Sequence, residues 1–414
     1  MSRTVVIGAG AVGLATAYEL RKRGEDVVIL DQRSVGEGCS RGNAGWIVPS
    51  LAAPLPAPGL TWKSMRWMLH RDSPLHIDPA AAPELAGWLW SFWRHCNTRD
   101  FAAGLDAWSR LTKDIMLPFD ALAAEDAGVE LYRDGLLFVF LNESTMRHVL
   151  ADLTAARHGS GEIRAVVGAE LRSMEPALKP EVVAGIWVVD ERHVRPESFC
   201  AALHRRVLAL GGEVCTGVEV QGSVVEAGKM RALRTSRGDI SGERFVVAAG
   251  ARSGLVSERI AGVSLPVQAG KGYSITVTTA NPPAIKRPLY LDEASVGYSP
   301  FAGGYRLAGT MELSGINERL VPARVSAIRR AAQRYLEVPV PDSGAVEWVG
   351  MRPITPDGLP VIGPLPRVEN TFIATGHGML GITASLVTGS LIADLVAHGR
   401  SSVDLSPFDP GRFI

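Results

Sequence analysis

Three sets of residues in this 414-residue chain have types and spacings that could do chemistry. Gly8, Gly10 and Gly13 stand at GxGxxG spacing, and Asp31 closes the strand that follows. In such a unit the first glycine permits a tight turn, the second lets backbone approach a pyrophosphate, and the third lets a helix pack close on a sheet. A carboxylate at Asp31 can then accept hydrogen bonds from a ribose hydroxyl pair. Arg352, in Gly350-Met351-Arg352-Pro353, offers a planar guanidinium fork suited to a carboxylate; a surface salt bridge is the plainer use of the same side chain. Gly376, Gly378 and Gly381 surround His377 where a strand feeds a helix, and a helix N-terminus carries unpaired N–H groups and a partial positive charge.

The elements that must position these residues are legible around them. Val5, Val6 and Ile7 form a short buried strand, Ala11 to Arg23 a helix stopped by Gly24, and Val27 to Leu30 a second strand. Strand, glycine turn, helix, strand and acid together point to a bound adenine dinucleotide. Gln32 follows the acid directly. The glycine-rich stretch from Arg33 to Trp46 reads as a loop that wraps a ligand with backbone N–H groups and offers Ser40 and Asn43 as polar contacts, with Ala44 and Gly45 beside them. Arg244 to Ala248 is a buried strand ending in Ala249-Gly250, small residues that let a second backbone edge approach the ligand. The stretch Glu213 to Val220, which carries Val218, reads as another strand. A strand ending at Thr375 leads into a helix from Ile382 to Ala397.

Composition bounds the rest. Apolar residues make up 46% and charged residues 21% of the chain, and formal net charge is zero. That describes a globular core and gives no basic face for nucleic acid. Cys39, Cys96, Cys200 and Cys215 lie far apart with no CxxC pair, so neither a metal site nor a disulfide framework is expected. The expected setting is reducing and cytoplasmic. No stretch approaches the ~20 apolar residues of a spanning helix.

Between 50 and 130 the chain is rich in tryptophan: Trp62, Trp67, Trp88, Trp90, Trp93 and Trp108. Leu85–Cys96 reads as a helix that is apolar nearly all round. Packing within a substrate domain is one use for it; contact with a membrane surface, with Lys63, Arg66, Arg71 and Arg94 at the headgroups, is the other. Leu105–Ala124 reads as one amphipathic helix, and Leu131–Leu141 as a hairpin around Asp134-Gly135. Asn142–His158 reads as a helix. Residues 263–345 carry strand signals around Tyr273, Tyr290, Gly297 and Tyr305, then a helix from Pro322 to Leu336. The expected architecture is α/β: a Rossmann-like nucleotide domain from 1–50, 195–262 and 346–414, and a second α+β domain from 51–194 and 263–345 built on an antiparallel sheet.

The opening unit followed by GEGCSRGNAGW resembles the FAD-dependent amine and amino-acid oxidoreductases, the D-amino acid oxidase-like group, and in particular its bacterial D-amino acid dehydrogenase branch. The segments GMRPITPDGLPVIG (350–363) and GHGMLG (376–381) are similar to that family's GxRPxTPDGxPxIG and GHGxxG signatures. The resemblance implies FAD, with Val218 and Gly250 flanking its nucleotide half. Backbone around Gly376, Gly378, Met379, Leu380, Gly381 and Thr383 would steady the negative charge of the reduced ring. It implies that Arg352 and Tyr298 hold a substrate carboxylate while the Cα hydride passes to flavin N5. Tyr290 and Tyr273 are further candidates, and His377 has either a ring or substrate contact or a plain loop role. No cysteine is close in sequence to the C-terminal motifs, so FAD is expected to be noncovalent. GHGMLGITAS is similar to enzymes acting on cyclic imino acids such as D-hydroxyproline. The branch implies a respiratory quinone as acceptor, which would bring the protein to the inner membrane face. A glycine- or sarcosine-type oxidase using oxygen, a non-catalytic FAD-binding subunit and an NAD-binding dehydrogenase are the alternatives.

Overall fold

The structure is a computed structural model that describes residues 3–60, 75–155, 161–338, 340–341 and 343–414. Strand Arg3–Ile7 has Val5 and Val6 wholly excluded from solvent, so it is covered on both faces, as an interior parallel strand must be. It lies at the centre of a six-stranded sheet ordered 213–216, 26–31, 3–7, 244–247, 371–375, 361–364; the first five strands run parallel and the last antiparallel. Helix Ala11–Lys22 packs on one face between helices Pro196–Ala209 and Ser385–His398. Gly389 permits that approach: a Cβ there would lie 2.6 Å from the Ala15 backbone. The other face carries a three-stranded antiparallel sheet (220–226, 229–235, 238–241), whose Met230 and Leu233 are buried against Val5, Val28 and Phe245.

The second layer system is a nine-stranded sheet. Its path runs 346–354, 268–278, 304–313, 296–301, 289–291, 136–140, 184–188, 163–167, with Leu75–Ile77 paired to 304–313. Helix Pro322–Tyr335 covers one face through Val325, Ile328 and Ala332. Side chains alternate across a strand, so residues one apart point to opposite faces. A small sheet of 46–47, 131–132 and 192–194 ties the two systems together.

Several expectations are corrected here. The stretch 105–124 is two helices, Thr98–Thr112 and Met116–Glu125, broken where Asp114 takes φ 56. Residues 131–141 are not a hairpin: Leu131–Tyr132 joins the small sheet and Leu136–Phe140 the large one, because Gly135 at φ 74 turns the chain between them. Residues 213–220 divide at Gly217, φ 68, so Val218 lies on a turn. The C-terminal helix begins at Ser385, three residues later than expected. Strand Val346–Ile354, expected with the nucleotide domain, pairs with Gln268–Thr278 in the antiparallel sheet, while its Met351 and Pro353 reach the wall of the nucleotide cavity described below.

The tryptophan helix spans Ala82–His95 and is two-faced. Leu85 and Trp88 pack against Leu313 and Ile354, while Trp90 and Trp93 are 60% and 50% exposed and stack on each other at 4.9 Å. Trp62, Trp67, Lys63, Arg66, Arg71 and His158 lie outside the described residues. Among the described residues no helix is long and apolar enough to cross a membrane.

Candidate active site

Two adjoining cavities lie where the sheets meet. The first, about 240 Å³, opens at the carboxyl ends of strands 3–7, 26–31 and 244–247, where ligands of open parallel sheets bind. Gly8 takes φ 115, and a Cβ there would sit 2.3 Å from the Ala248 carbonyl. Gly13 lets the helix close on that turn: its Cβ would fall 1.9 Å from the Gly8 carbonyl. Above Gly10 a Cβ would meet Ser40 Oγ alone, at 3.4 Å, so the helix N-terminus faces open space. This cradle fits a dinucleotide pyrophosphate.

Asp31 sits at the far end of the turn. Its Oδ2 accepts from the Ala9 N–H at 2.7 Å and its Oδ1 from the Arg33 N–H at 2.8 Å. Each oxygen keeps a lone pair for a ribose hydroxyl. Burial raises the carboxyl pKa, and the two N–H groups oppose the shift. Gln32, Ser40, Asn43, Val218, Gly250, Gly378 and Gly381 also line this cavity. Ser40 accepts from the Ala11 N–H at 3.0 Å and so helps cap the helix.

The second cavity, about 570 Å³, lies on the face of the large sheet opposite helix Pro322–Tyr335, and Cys39 and Asn43 line both cavities. Trp348, Gly350 and Arg352, at alternate positions of one strand, supply a wall. Arg352 Nη1 donates to the Thr310 carbonyl at 2.8 Å. Its pKa is lowered by burial, and the titratable groups beside it are the Cys39 thiol and the Tyr290 hydroxyl, with no carboxylate among them. Tyr290 lines the same cavity, edge-on to Trp46 at 5.9 Å. Ala44, Met379 and Leu380 complete this side, and Leu51, Leu55, Trp88, Phe92 and Leu313 make the rest largely apolar.

Other expected residues lie elsewhere. Tyr298 is on the wrong face: Gly297 and Ser299 point to Trp46 and the cavity, while Tyr298 is fully buried in the opposite core, stacked on Tyr305 at 5.3 Å. A tyrosine one position from a cavity-facing residue cannot share its direction. Tyr273 does border the second cavity, but its hydroxyl is already used: it donates to Glu312 at 2.6 Å, inside a buried ion pair between Glu312 and Lys271. Gly376 lines neither cavity; it makes room for Thr355. Gly45, at φ 79, makes room for the Val194 carbonyl. Thr383 fastens the start of the C-terminal segment to Trp46, donating to its carbonyl at 2.8 Å.

His377 is within the first cavity's wall, but its Nε2 lies 3.0 Å from Thr388 Oγ1 and its ring is 98% shielded. Burial pulls its pKa down to about 4 from 6.5. The native state therefore resists its protonation, and the stability it carries is full above pH 6.5 and lost as pH falls from 6.5 to about 4. His377→Gln should flatten the fall in Tm across that window relative to the parent chain. Parallel pH profiles of Tm for the two proteins would contradict this reading.

Sequence reasoning missed the residues that set the loop from Arg41 to Trp46. Arg306, 3% exposed, donates through Nη1 to the carbonyls of Arg41 and Asn43, each at 2.8 Å. Ser299 donates to the Ala44 carbonyl and accepts from the Trp46 indole. A lone arginine inside the strand YRLAG was the available signal. It also missed Gly272, an interior strand glycine of the kind that marks close approach; its Cβ would lie 2.2 Å from Arg352 Nη2. Cys39 corrects an argument rather than a residue. Distant in sequence from the C-terminal motifs, it stands beside Arg352 and borders both cavities, and burial pushes its thiol up to about 11.

A phosphate cradle joined to a walled pocket that holds an arginine without a carboxylate partner among the described residues is the plan of a dinucleotide-dependent enzyme. The chain belongs to the FAD dependent oxidoreductase family (DAO), whose sequence profile matches residues 3–395. It is 30% identical to a D-amino acid dehydrogenase of Rhizorhabdus wittichii, covering 99% of this chain and 100% of that one. It is 29% identical to a D-amino acid dehydrogenase of Vibrio atlanticus, covering 99% of each. In structure it is similar to L-proline dehydrogenase from P. horikoshii, with TM-score 0.76, 19% identity and coverage of 100% and 97%. Glycine oxidase from Geobacillus kaustophilus superposes with TM-score 0.74 at 22% identity over the whole of both chains. Two cavities lined as described fit FAD, which the glycine turn, Asp31 and the loop from Gly38 to Asn43 would hold.

Proposed function

We propose that this protein oxidises the Cα–N bond of a D-amino acid with an apolar side chain to the imino acid. One observation carries the reading: a guanidinium set into an apolar cavity, oriented by the Thr310 carbonyl and Gly272, without a carboxylate partner among the described residues. A half-buried arginine of that kind, open to a cavity, is completed by a ligand's carboxylate. FAD, when bound, supplies the hydride acceptor. The chain itself binds, orients and excludes water: Arg352 fixes the carboxylate, Tyr290 and Trp46 close one side, and Leu51, Leu55 and Phe92 receive the side chain. The substrate amine binds as the free base, so no protein group has to take its proton in the oxidation.

The apolar wall also ranks substrates. Burying an apolar side chain is worth about 1.5–3 kcal/mol, which is about 10- to 100-fold in kcat/KM. D-Proline fits this wall, whereas the hydroxyl of cis-4-hydroxy-D-proline meets aliphatic and aromatic carbon. Glycine and sarcosine, the substrates of the oxidase reading, leave the cavity unfilled. For the acceptor we favour a quinone reached at a membrane surface, supported by the exposed Trp90–Trp93 pair.

Steady-state rates with an artificial electron-accepting dye test the ranking. D-Leucine, D-phenylalanine, D-methionine and D-proline should exceed glycine, sarcosine, D-aspartate and cis-4-hydroxy-D-proline by at least about tenfold in kcat/KM. Glycine or sarcosine as the fastest substrate would overturn the reading in favour of an oxidase-type site, and cis-4-hydroxy-D-proline as the fastest would overturn the apolar assignment.

A further inference from the structure

Every polar atom of Asn43 but one has a partner in the protein. Its backbone N–H donates to the Ser40 carbonyl at 3.3 Å, its carbonyl accepts from Arg306 Nη1 at 2.8 Å, and its side-chain Oδ1 accepts from the Gly45 N–H at 2.7 Å. A backbone N–H can only donate, so the last contact fixes which way round the side-chain amide lies: the oxygen faces Gly45 and the NH2 faces away. Nδ2 has no partner among the described residues, and unlike the unpaired polar atoms of the core it is not sealed in protein.

The surroundings hold that amide still. Nη1 of the buried Arg306 reaches the carbonyls of Arg41 and Asn43 together, while its Nε donates to Thr276 and its Nη2 to Glu197. Ser299 donates to the Ala44 carbonyl at 2.7 Å, and the Gly45 carbonyl accepts from the Val194 N–H at 2.8 Å. The loop is thus fastened on both sides of Asn43. Asn43 and Cys39 are also the two described residues that line both cavities. A ring joined to a dinucleotide in the first cavity and reacting with a substrate in the second has to stand at that junction. The Cys39 thiol is a weak donor; the Asn43 amide is a full one, and it is already oriented.

We infer that the Asn43 Nδ2 group is a preset hydrogen-bond donor to the flavin ring, and that Arg306 is the positioning residue that holds it there. The ring gains negative charge on reduction, so a donor fixed beforehand favours the reduced form without reorganising. The placement of the ring rests on the assignment of the second cavity to the substrate, so the experiment uses no substrate.

The test is the midpoint potential of the FAD-loaded protein, reduced chemically beside a dye of known potential, with the flavin-to-protein ratio measured in parallel. Asn43→Asp keeps an oxygen for the Gly45 N–H and puts a carboxylate oxygen where the NH2 stood. Asn43→Ser keeps a short acceptor and has no amide. Both should retain FAD. The equilibrium for reduction should fall about tenfold in the serine variant, the worth of one hydrogen bond to a charged group, which is about 30 mV for a two-electron couple. It should fall further in the aspartate variant, where an acceptor and a charge face the ring. Arg306→Lys leaves Asn43 in place, but an ammonium cannot span two carbonyls and Glu197, so a fall of at least about threefold is expected there. That variant carries the test should the Asn43 variants fail to fold. Equilibria within about twofold of the parent in the Asn43 variants, with FAD retained, would overturn the inference. Loss of FAD from both, together with an unshifted Arg306→Lys protein, would reduce Asn43 to a residue that shapes the loop. Failure of every D-amino acid to reduce the parent protein would overturn the substrate reading instead, and the potentials would still decide the role of Asn43.

Discussion

Arg352→Ala raises KM for the amino acid about 30-fold or more while the protein keeps its FAD. The size follows from removing one member of a desolvated charge pair, which costs about 2–5 kcal/mol, a factor of about 30 to 5,000. Arg352 lies in the second cavity, and the glycine turn, Asp31 and Ser40 that would hold the dinucleotide lie in the first. The two losses therefore separate: the substrate weakens and the cofactor does not. Lysine at 352 should recover only part of the affinity, because an ammonium cannot bond the Thr310 carbonyl and both carboxylate oxygens in one plane. The measurement is KM and kcat beside the flavin-to-protein ratio. A KM within about threefold of the parent would remove the clamp.

Gly8→Ala is expected to abolish FAD retention and to destabilise the chain. The substituted residue would have to hold φ 115 and place its Cβ 2.3 Å from the Ala248 carbonyl, a backbone atom that belongs to the neighbouring strand. Strain of that kind costs about 1–3 kcal/mol, and overpacking adds about 1–3 more. That is a large part of the 5–15 kcal/mol that typically holds a domain. Relief by movement would shift the turn that carries Gly10 and the helix N-terminus, the cradle that fits a pyrophosphate. The purified variant should be colourless, with a markedly lower Tm. A yellow protein melting with the parent would contradict the role given to this turn.

The nucleotide half of the molecule was legible because its signals are local. GxGxxG, the helix after it and the acid at the end of the second strand act within thirty-odd residues, and the sheet they enter is parallel and buried, as their apolar runs require. The substrate half was less legible because its geometry is set by parity and by partners far along the chain. Tyr298 and Tyr290 look alike in sequence, yet one-residue parity sends the first into the core under helix Pro322–Tyr335 and leaves the second in the cavity. The left-handed conformation of Thr310 follows from a register shift between two strands, and no residue type announced it. Cys39 shows the same limit: its neighbour Arg352 is more than three hundred residues away in sequence. Arg306 and Gly272 carried readable signals, a charge and a glycine inside apolar strands, and both shape the site through what they allow or hold.

The central claim is that FAD bound here is reduced by a D-amino acid whose carboxylate sits on Arg352. The most direct measurement mixes the oxidised, FAD-loaded protein with the D- and L-forms of leucine and phenylalanine in the absence of oxygen and follows the flavin's visible band. Rapid bleaching by the D-forms, slow or absent bleaching by the L-forms, and loss of the D-response at the same concentrations in Arg352→Ala is the predicted result. Equal bleaching by both forms, or an undiminished response to the D-forms in Arg352→Ala, would contradict it.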